Sequence, residues 1–248
     1  VIRMKLNDYL RETFFKMLNF REAAGYATVT YKVTLLPFID FCCYKYPDAE
    51  NLTAEMLDEW LTHKGYTVNT QAAFIACLRQ YCRYINFLGT QAFIPDEDYT
   101  LKRIAYEPYT FTDMELRTLF SAIDGYKPST NNKKFKPEVV ISPMFRMMYC
   151  CGMRPSEPLR LRCNDVNLDT GDIYIRETKK HKDRHIIMSA DMVNLCQKYD
   201  EIAGKRTWFF EYNNGPYDRN WMTSQFGHCW KRSGLQAHGH PRPYDLRH

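Results

Sequence analysis

The chain has 248 residues, of which 45% are hydrophobic and 25% charged, a composition typical of a globular protein with one large or two modest domains. No apolar run approaches the length of a membrane span, and the first residues lack the core of a signal peptide. The sequence therefore predicts a soluble, cytoplasmic protein with no membrane partner. The net charge of +5 is uneven, because residues 1–108 hold 12 Lys and Arg against 13 Asp and Glu, which leaves 22 against 16 for residues 109–248. A basic excess is compatible with binding a polyanion, but solvated basic surfaces are also common.

The nine cysteines form an odd set without a C-x-x-C pair. This argues against a disulfide framework and against a structural zinc site, and it predicts reduced, mostly buried thiols. No metal ligand set is predicted.

The first ninety residues predict four helices, because apolar residues recur at helical spacing through four successive segments. In the second segment, 28–44, Pro37 predicts a kink or a split. On the fourth, 69–88, Arg79 and Arg83 stand one turn apart. Their face is interpreted either as a solvated polar surface or as one that contacts a DNA backbone.

Residues 89–108 lose this periodicity and collect prolines and charges, which predicts a linker. The predicted division is a helical domain of residues 1–104, with its linker from about residue 89, and a second domain of residues 105–248. The second domain opens on Thr112, where T-D-M-E has the form of a capping box. A strongly apolar helix is predicted over 141–151.

The stretch C-G-M-R-P-S-E-P-L-R-L, residues 151–161, places Arg154 where a helix is expected to begin. A guanidinium held there can offer a fork of donors to a phosphate beside backbone N–H groups. Taken alone, the stretch fits better with an ordinary helix start that carries a solvated arginine. Beyond it, the sequence predicts three strands, at 166–168, 173–175 and 185–188, as a small sheet among helices.

Three features of the second half belong together: Arg154, the basic turn T-K-K-H-K-D-R at 178–184 and the closing Y-D-L-R-H at 244–248. As a set they resemble the tyrosine recombinase and phage-type integrase family, which includes integrases and transposases of mobile elements. The family pattern G-x-R-x-S-E-x-x-x-L matches at Gly152, Arg154, Ser156, Glu157 and Leu161, the lysine hairpin motif from Lys179 through Arg184, and the second box at Leu246, Arg247 and His248. Each motif alone is weak, but their order and spacing together are specific.

The resemblance implies a mainly α fold with a small antiparallel β-sheet, made of a helical core-binding domain and an α+β catalytic domain. It also implies roles for individual residues. Arg154 and Arg247 would stabilise charge on a phosphoryl group without a metal or another cofactor. Lys179 would protonate the leaving 5′ oxygen as general acid.

The other members of the predicted site have supporting roles. Glu157 is expected to support the helix start rather than to transfer protons. Contacts to the DNA backbone are predicted for Arg79, Arg83, Lys180, Lys182 and Arg184, although a basic hairpin is usually just solvated. His240 and His248 are further candidates for support.

Two departures from the family pattern bear on activity. Tyr244 stands where the family most often has His; a phenol can donate a hydrogen bond to a phosphate but is a poor general base at neutral pH. The family's nucleophilic tyrosine lies downstream of the second arginine and is not among these 248 residues. The catalytic domain is therefore expected to be incomplete at its C-terminus, and this fragment is expected to be inactive as written.

The function implied is that of a site-specific DNA recombinase that cleaves and rejoins strands through a 3′-phosphotyrosyl intermediate. Expected partners are double-stranded DNA, further copies of the chain as a dimer and then a tetramer, and an accessory DNA-bending or directionality factor. Two alternatives stay open: an inactive DNA-binding or accessory protein of the same fold, and a type IB topoisomerase.

Overall fold

The structure is a computed structural model in which residues 5–99, 102–128, 136–176, 183–236, 239 and 241–248 are described. The chain divides into two compact units, Val1–Tyr106 and Glu107–His248. The described part of the first unit is built on helices, and that of the second combines helices with two small antiparallel sheets. The fold class predicted from the sequence is confirmed.

Helices dominate the first unit because each has one apolar face, and these faces share one core. Phe14 meets the ring of Tyr81 edge to face, with centroids 5.6 Å apart. The buried Tyr81 hydroxyl donates to the carbonyl of Leu10 at 2.6 Å, so its polar end is satisfied inside the core. The described helices of this unit are α1 (Leu6–Ala23), α2 (Val29–Lys45), α3 (Ala54–Lys64) and α4 (Val68–Phe87).

Helix α2 runs through Pro37 without a split. Proline removes the hydrogen bond that would reach the carbonyl of Val33 one turn earlier. The side chain of Val33 is exposed, so this carbonyl lies on the solvent side of the helix, where water can serve it. The buried neighbours Phe38 and Ile39 keep the rest of the helix packed against the core.

Helix α6 lies at the centre of the second unit, where it packs against α5, α8 and α9. Phe145 and Met148 of α6 are fully buried, and the Phe145 ring meets Phe226 of α9 with centroids 5.6 Å apart. The described helices of this unit are α5 (Asp113–Asp124), α6 (Pro137–Cys150), α7 (Ser156–Arg160), α8 (Ala190–Ala203) and α9 (Arg219–Ser233), with 3₁₀ turns at Cys163–Asp165 and Pro243–Arg247.

The capping box predicted at the start of α5 is present. The Thr112 hydroxyl accepts the Glu115 N–H at 3.2 Å, and the Glu115 carboxylate accepts the Thr112 N–H at 2.8 Å. Two backbone donors that the helix itself cannot satisfy are thus paired.

Two of the three predicted strands pair as a hairpin, β1 (Asp172–Ile175) with β2 (Arg184–Ile187). The strand predicted at 166–168 was wrong. Of these three residues, Val166 alone pairs with another strand, through one isolated bridge to Ile173. The reason is Asn167, whose side-chain oxygen accepts the N–H groups of Asp169 and Thr170 at 2.9 and 3.0 Å. This local turn competes with a strand ladder.

A second hairpin, β3 (Glu211–Tyr212) with β4 (Gly215–Pro216), was not predicted. Asn213 and Asn214 at its tip have φ of 49° and 62°, the left-handed conformation that a tight two-residue hairpin turn requires. The N-N-G sequence is the signal that could have indicated it.

No described helix is both long enough and apolar enough to cross a bilayer. All nine cysteines are free, and five of them are buried. Burial raises the pKa of the Cys82 thiol to about 12 and that of Cys229 to about 11, so these thiols stay protonated at neutral pH.

Candidate active site

Arg154 lies in the short segment between α6 and α7. Gly152 turns the chain there with φ of 59°, a left-handed conformation that suits glycine. Met153 is fully buried in the core of the unit, whereas the Arg154 side chain is 32% exposed. The core therefore anchors this segment one residue before the arginine and leaves the guanidinium at the surface.

Glu157, in the first turn of α7, is a buried carboxylate shared by two arginines. It accepts the backbone N–H of Arg154 at 2.7 Å and its Nη1 at 3.0 Å. Both oxygens also accept from Arg184, at 2.9 Å from Nη1 and 2.7 Å from Nη2. Burial opposes ionisation of Glu157, but the hydrogen bonds from Arg184 and Arg154 outweigh it and hold the pKa of Glu157 below its usual range.

A depressed pKa makes stability depend on pH. The stabilisation by ionised Glu157 is fully present above the pKa of an unfolded glutamate, about 4.3, and is lost as the pH falls through the lower folded value. We expect the wild-type chain to be more stable than Glu157→Gln at neutral pH and this difference to shrink as the pH falls below about 4.3. Urea unfolding of both proteins at several pH values measures it.

The exposed Glu201, changed to Gln, is the matched control for this titration. Its effect on the free energy of unfolding should be small across the same range. A Glu157→Gln difference that stays constant down to about pH 3 would contradict the assignment.

The second box forms the 3₁₀ turn Pro243–Arg247. Leu246 and Asp245 are buried, and the Asp245 carboxylate accepts the Arg242 N–H at 2.8 Å. These two anchors leave Tyr244 and Arg247 half-buried at the surface. Among the described residues, Arg247 has no hydrogen-bond or ion-pair partner, so its guanidinium is available to a ligand. The ring centroids of Tyr244 and His248 lie 5.5 Å apart.

The segment that carries Arg154 and the second box meet at one cavity of about 420 Å³. Pro155, next to Arg154, lines it opposite Pro243 and Tyr244. Arg219 and Arg242 are the two arginines of the lining, and Met222 and Thr223 complete it. Two predicted motifs that are ninety residues apart in sequence are thus neighbours in space.

A larger cavity of about 530 Å³ borders Glu157 on the side of β1 and is lined by three arginines that the sequence interpretation missed: Arg160, Arg162 and Arg176. The Arg162 guanidinium lies 5.4 Å from the ring centre of Trp208. A signal was available, since the L-R-L-R run at 159–162 buries its leucines and exposes its arginines.

Four predicted site residues, Lys179, Lys180, Lys182 and His240, lie outside the described residues. The register of β1 and β2 nevertheless locates the ends of the segment that contains the lysines, because Ile175 pairs with Arg184. The described residue Arg184, at the start of β2, contacts Glu157.

The two arginines predicted to contact DNA on α4 have different surroundings. Arg79 donates from Nε to the carbonyl of Pro95 and from Nη2 to that of Asp96, both at 2.7 Å, so its guanidinium holds the linker. Arg83 is exposed. DNA binding by this face stays a prediction.

Comparison with solved structures defines the class of fold. The chain is similar to lambda integrase residues 75–356, solved as a dimer bound to a COC′ core site, with a TM-score of 0.70 and 15% identity over 98% of this chain and 87% of that one. It is also similar to the XerH site-specific recombinase bound to palindromic difH substrate, with a TM-score of 0.62 and 20% identity over 88% and 65%. The fold is that of a tyrosine recombinase.

The family model described as "Phage integrase family" matches residues 110–248, more than half of the chain, and the chain belongs to this family. A protein named integrase/recombinase y4rE, from Sinorhizobium fredii, is 23% identical over 97% of this chain and 78% of its own length. One named integrase/recombinase MJ0367, from Methanocaldococcus jannaschii, is 22% identical over 76% of this chain, which spans 59% of that protein. The resemblance inferred from the three motifs is confirmed.

Proposed function

We propose that the protein is a site-specific DNA recombinase that cleaves and rejoins strands through a 3′-phosphotyrosyl intermediate. The observation that carries the proposal is the cavity at which Pro155, the neighbour of Arg154, meets Tyr244 of the second box, with Arg219 and Arg242 in the same lining. We infer that the guanidinium groups of Arg154 and Arg247, each close in sequence to this lining, bind the non-bridging oxygens of a phosphate. Membership of an integrase family adds the substrate class.

In the proposed reaction a tyrosine oxygen attacks a phosphorus of the DNA backbone. The bond from phosphorus to the 5′ oxygen breaks, and Lys179 gives that oxygen its proton. Arg154 and Arg247 stabilise the charge that builds on the phosphoryl oxygens. Tyr244 donates a hydrogen bond to the same group. Attack by a 5′ hydroxyl of the partner strand reverses these steps and reseals the backbone.

DNA would lie across the two cavities, where arginines outnumber carboxylates. Contacts to phosphates are proposed for Arg160, Arg162, Arg176, Arg219 and Arg242, in addition to Lys180 and Lys182 of the basic hairpin. The lambda integrase structures include a dimer on a core site and a tetramer on a Holliday junction. By this likeness we propose that copies of the chain pair on DNA and then form a tetramer, with an accessory factor as a further partner.

The proposal is tested with the complete gene product. DNA fragments that it selects from a random library give the site, and footprinting gives the cleavage region. A duplex nicked next to that region should then trap a covalent adduct that survives denaturation. Treatment with nuclease should leave a phosphotyrosine on the protein.

The other candidate functions give different results in the same experiment. The second candidate is a DNA-binding protein that keeps the fold without catalysis, and the presence of Tyr244 in the second box favours it. Such a protein would give the footprint and no adduct. A type IB topoisomerase would relax plasmids without strand exchange. Absence of both footprint and adduct would exclude the proposed function.

A further inference from the structure

Arg184 was predicted from the sequence to contact the DNA backbone, but its guanidinium is committed to a contact inside the protein. Both of its terminal nitrogens donate to the Glu157 carboxylate, one to each oxygen, at 2.9 and 2.7 Å. The carboxylate is only 6% exposed, so this two-point ion pair is shielded from water on the carboxylate side. Planar, bidentate pairs of this kind are among the strongest that arginine forms.

The same carboxylate holds Arg154 through its backbone N–H and through Nη1. Of the Arg154 guanidinium, only Nη1 is hydrogen-bonded to a described residue; the other terminal nitrogen is not. One negative charge is thus shared by two positive charges. The group of three keeps a net charge of +1 at a surface where a phosphate would bind.

Removal of Arg184 would change this balance. Glu157 would then have one arginine left, and the buried carboxylate would draw the Arg154 guanidinium into a full ion pair. The charge that Arg154 can offer to a phosphate would be neutralised, and its donors would be turned toward Glu157.

Arg184 also holds the start of β2 next to the first turn of α7. As the first residue of β2, it pairs with Ile175 at the end of β1, and the segment between these strands contains Lys179. The ion pair therefore ties the base of that hairpin to the first turn of α7, which follows Arg154 directly.

We propose that Arg184 is a positioning residue of the active site, which saturates Glu157 so that Arg154 keeps its charge for the phosphate. This inference rests on the proposed function.

The test compares Arg184→Ala, Glu157→Gln and the double variant in the complete gene product, with the rate of covalent-adduct formation measured at saturating DNA. Arg184→Ala should slow adduct formation by about 10²-fold, the effect of a small misplacement in a preorganised site. The DNA dissociation constant and its salt dependence should not change. Loss of a phosphate contact would instead lower the salt slope by about 1.

The double variant tests whether the charge of Glu157 causes the loss of rate in Arg184→Ala. Glutamine has no charge to neutralise Arg154 but can still accept its backbone N–H, so Glu157→Gln should restore part of the rate lost in Arg184→Ala. Removal of the unpaired carboxylate charge can also restore stability, so the rescue supports the inference where the double variant and Arg184→Ala have the same folded population. Urea unfolding of each variant shows whether the folded population is comparable.

Arg146→Ala is the matched control, since Arg146 makes an equally two-pointed ion pair with Asp124 at 2.7 and 2.6 Å elsewhere in the same unit. It should leave the adduct rate unchanged. A normal rate in Arg184→Ala together with a lower salt slope would overturn the inference and make Arg184 a DNA contact. So would a double variant slower than Arg184→Ala. Failure of the wild-type protein to form the adduct would refute the proposed function itself, which separates the two results.

Discussion

Replacement of Arg154 by alanine in the complete gene product is expected to slow covalent-adduct formation on a nicked duplex by about 10²- to 10³-fold. Arg154 is placed by a buried Met153 and held by Glu157, so its donors are oriented before substrate arrives. Preorganised donors stabilise a transition state without a cost of rearrangement at the moment of reaction. The measurement is the adduct yield over time at saturating DNA.

The Arg154→Ala variant is expected to lose catalysis and to keep DNA binding. Gel-shift affinity for the same duplex should stay close to that of the wild type, because many other cationic side chains contact the backbone in the proposed complex. Arg154→Lys keeps the charge but loses the two-pronged donor geometry, and it should recover only part of the rate. A normal adduct rate in Arg154→Ala would remove Arg154 from the active site.

The second large effect is expected for Lys179→Ala, which should slow cleavage of an ordinary phosphodiester by about 10²- to 10⁴-fold, the range for loss of a general acid. A substrate with sulfur in place of the 5′ bridging oxygen should be cleaved at nearly the wild-type rate. Sulfur leaves as a thiolate and needs no proton, so the rescue identifies the step that the lysine serves. Paired rate measurements on the two substrates decide it.

Lys180→Ala and Lys182→Ala are the matched controls, because they remove the same charge from the same segment. Both should weaken DNA binding at higher salt and cleave the two substrates with the wild-type ratio. Lack of sulfur rescue in Lys179→Ala would assign the general acid to another residue.

Local signals in the sequence predicted most of the fold. The helical periodicity before residue 89 and the capping box at Thr112 give α1 to α5 to within a few residues, because both arise from contacts one turn apart. The strand predicted at 166–168 was wrong for the opposite reason. Its apolar residues fit a strand, but the Asn167 side chain bonds to the backbone just beyond it and forms a turn instead.

The candidate site was predicted only in part, because its decisive contacts join residues far apart in the chain. Arg184 lies 27 residues from Glu157. A basic hairpin residue therefore looks solvent-exposed or DNA-bound in the sequence, and nothing local reveals its acidic partner. Arg219 and Arg242 belong to no motif, and only the folded arrangement brings them to the cavity beside Tyr244.

The buried carboxylate of Glu157 has a consequence for any attempt to build such a site into another protein. Copying the G-x-R-x-S-E-x-x-x-L motif alone would carry over Arg154 together with the acid that neutralises it. By the role proposed for Arg184, the smallest portable unit would be the motif together with an arginine on a separate strand that pairs with Glu157 as Arg184 does. An engineer who transplants the helix start without that strand would transfer an ion pair rather than a phosphate-binding group.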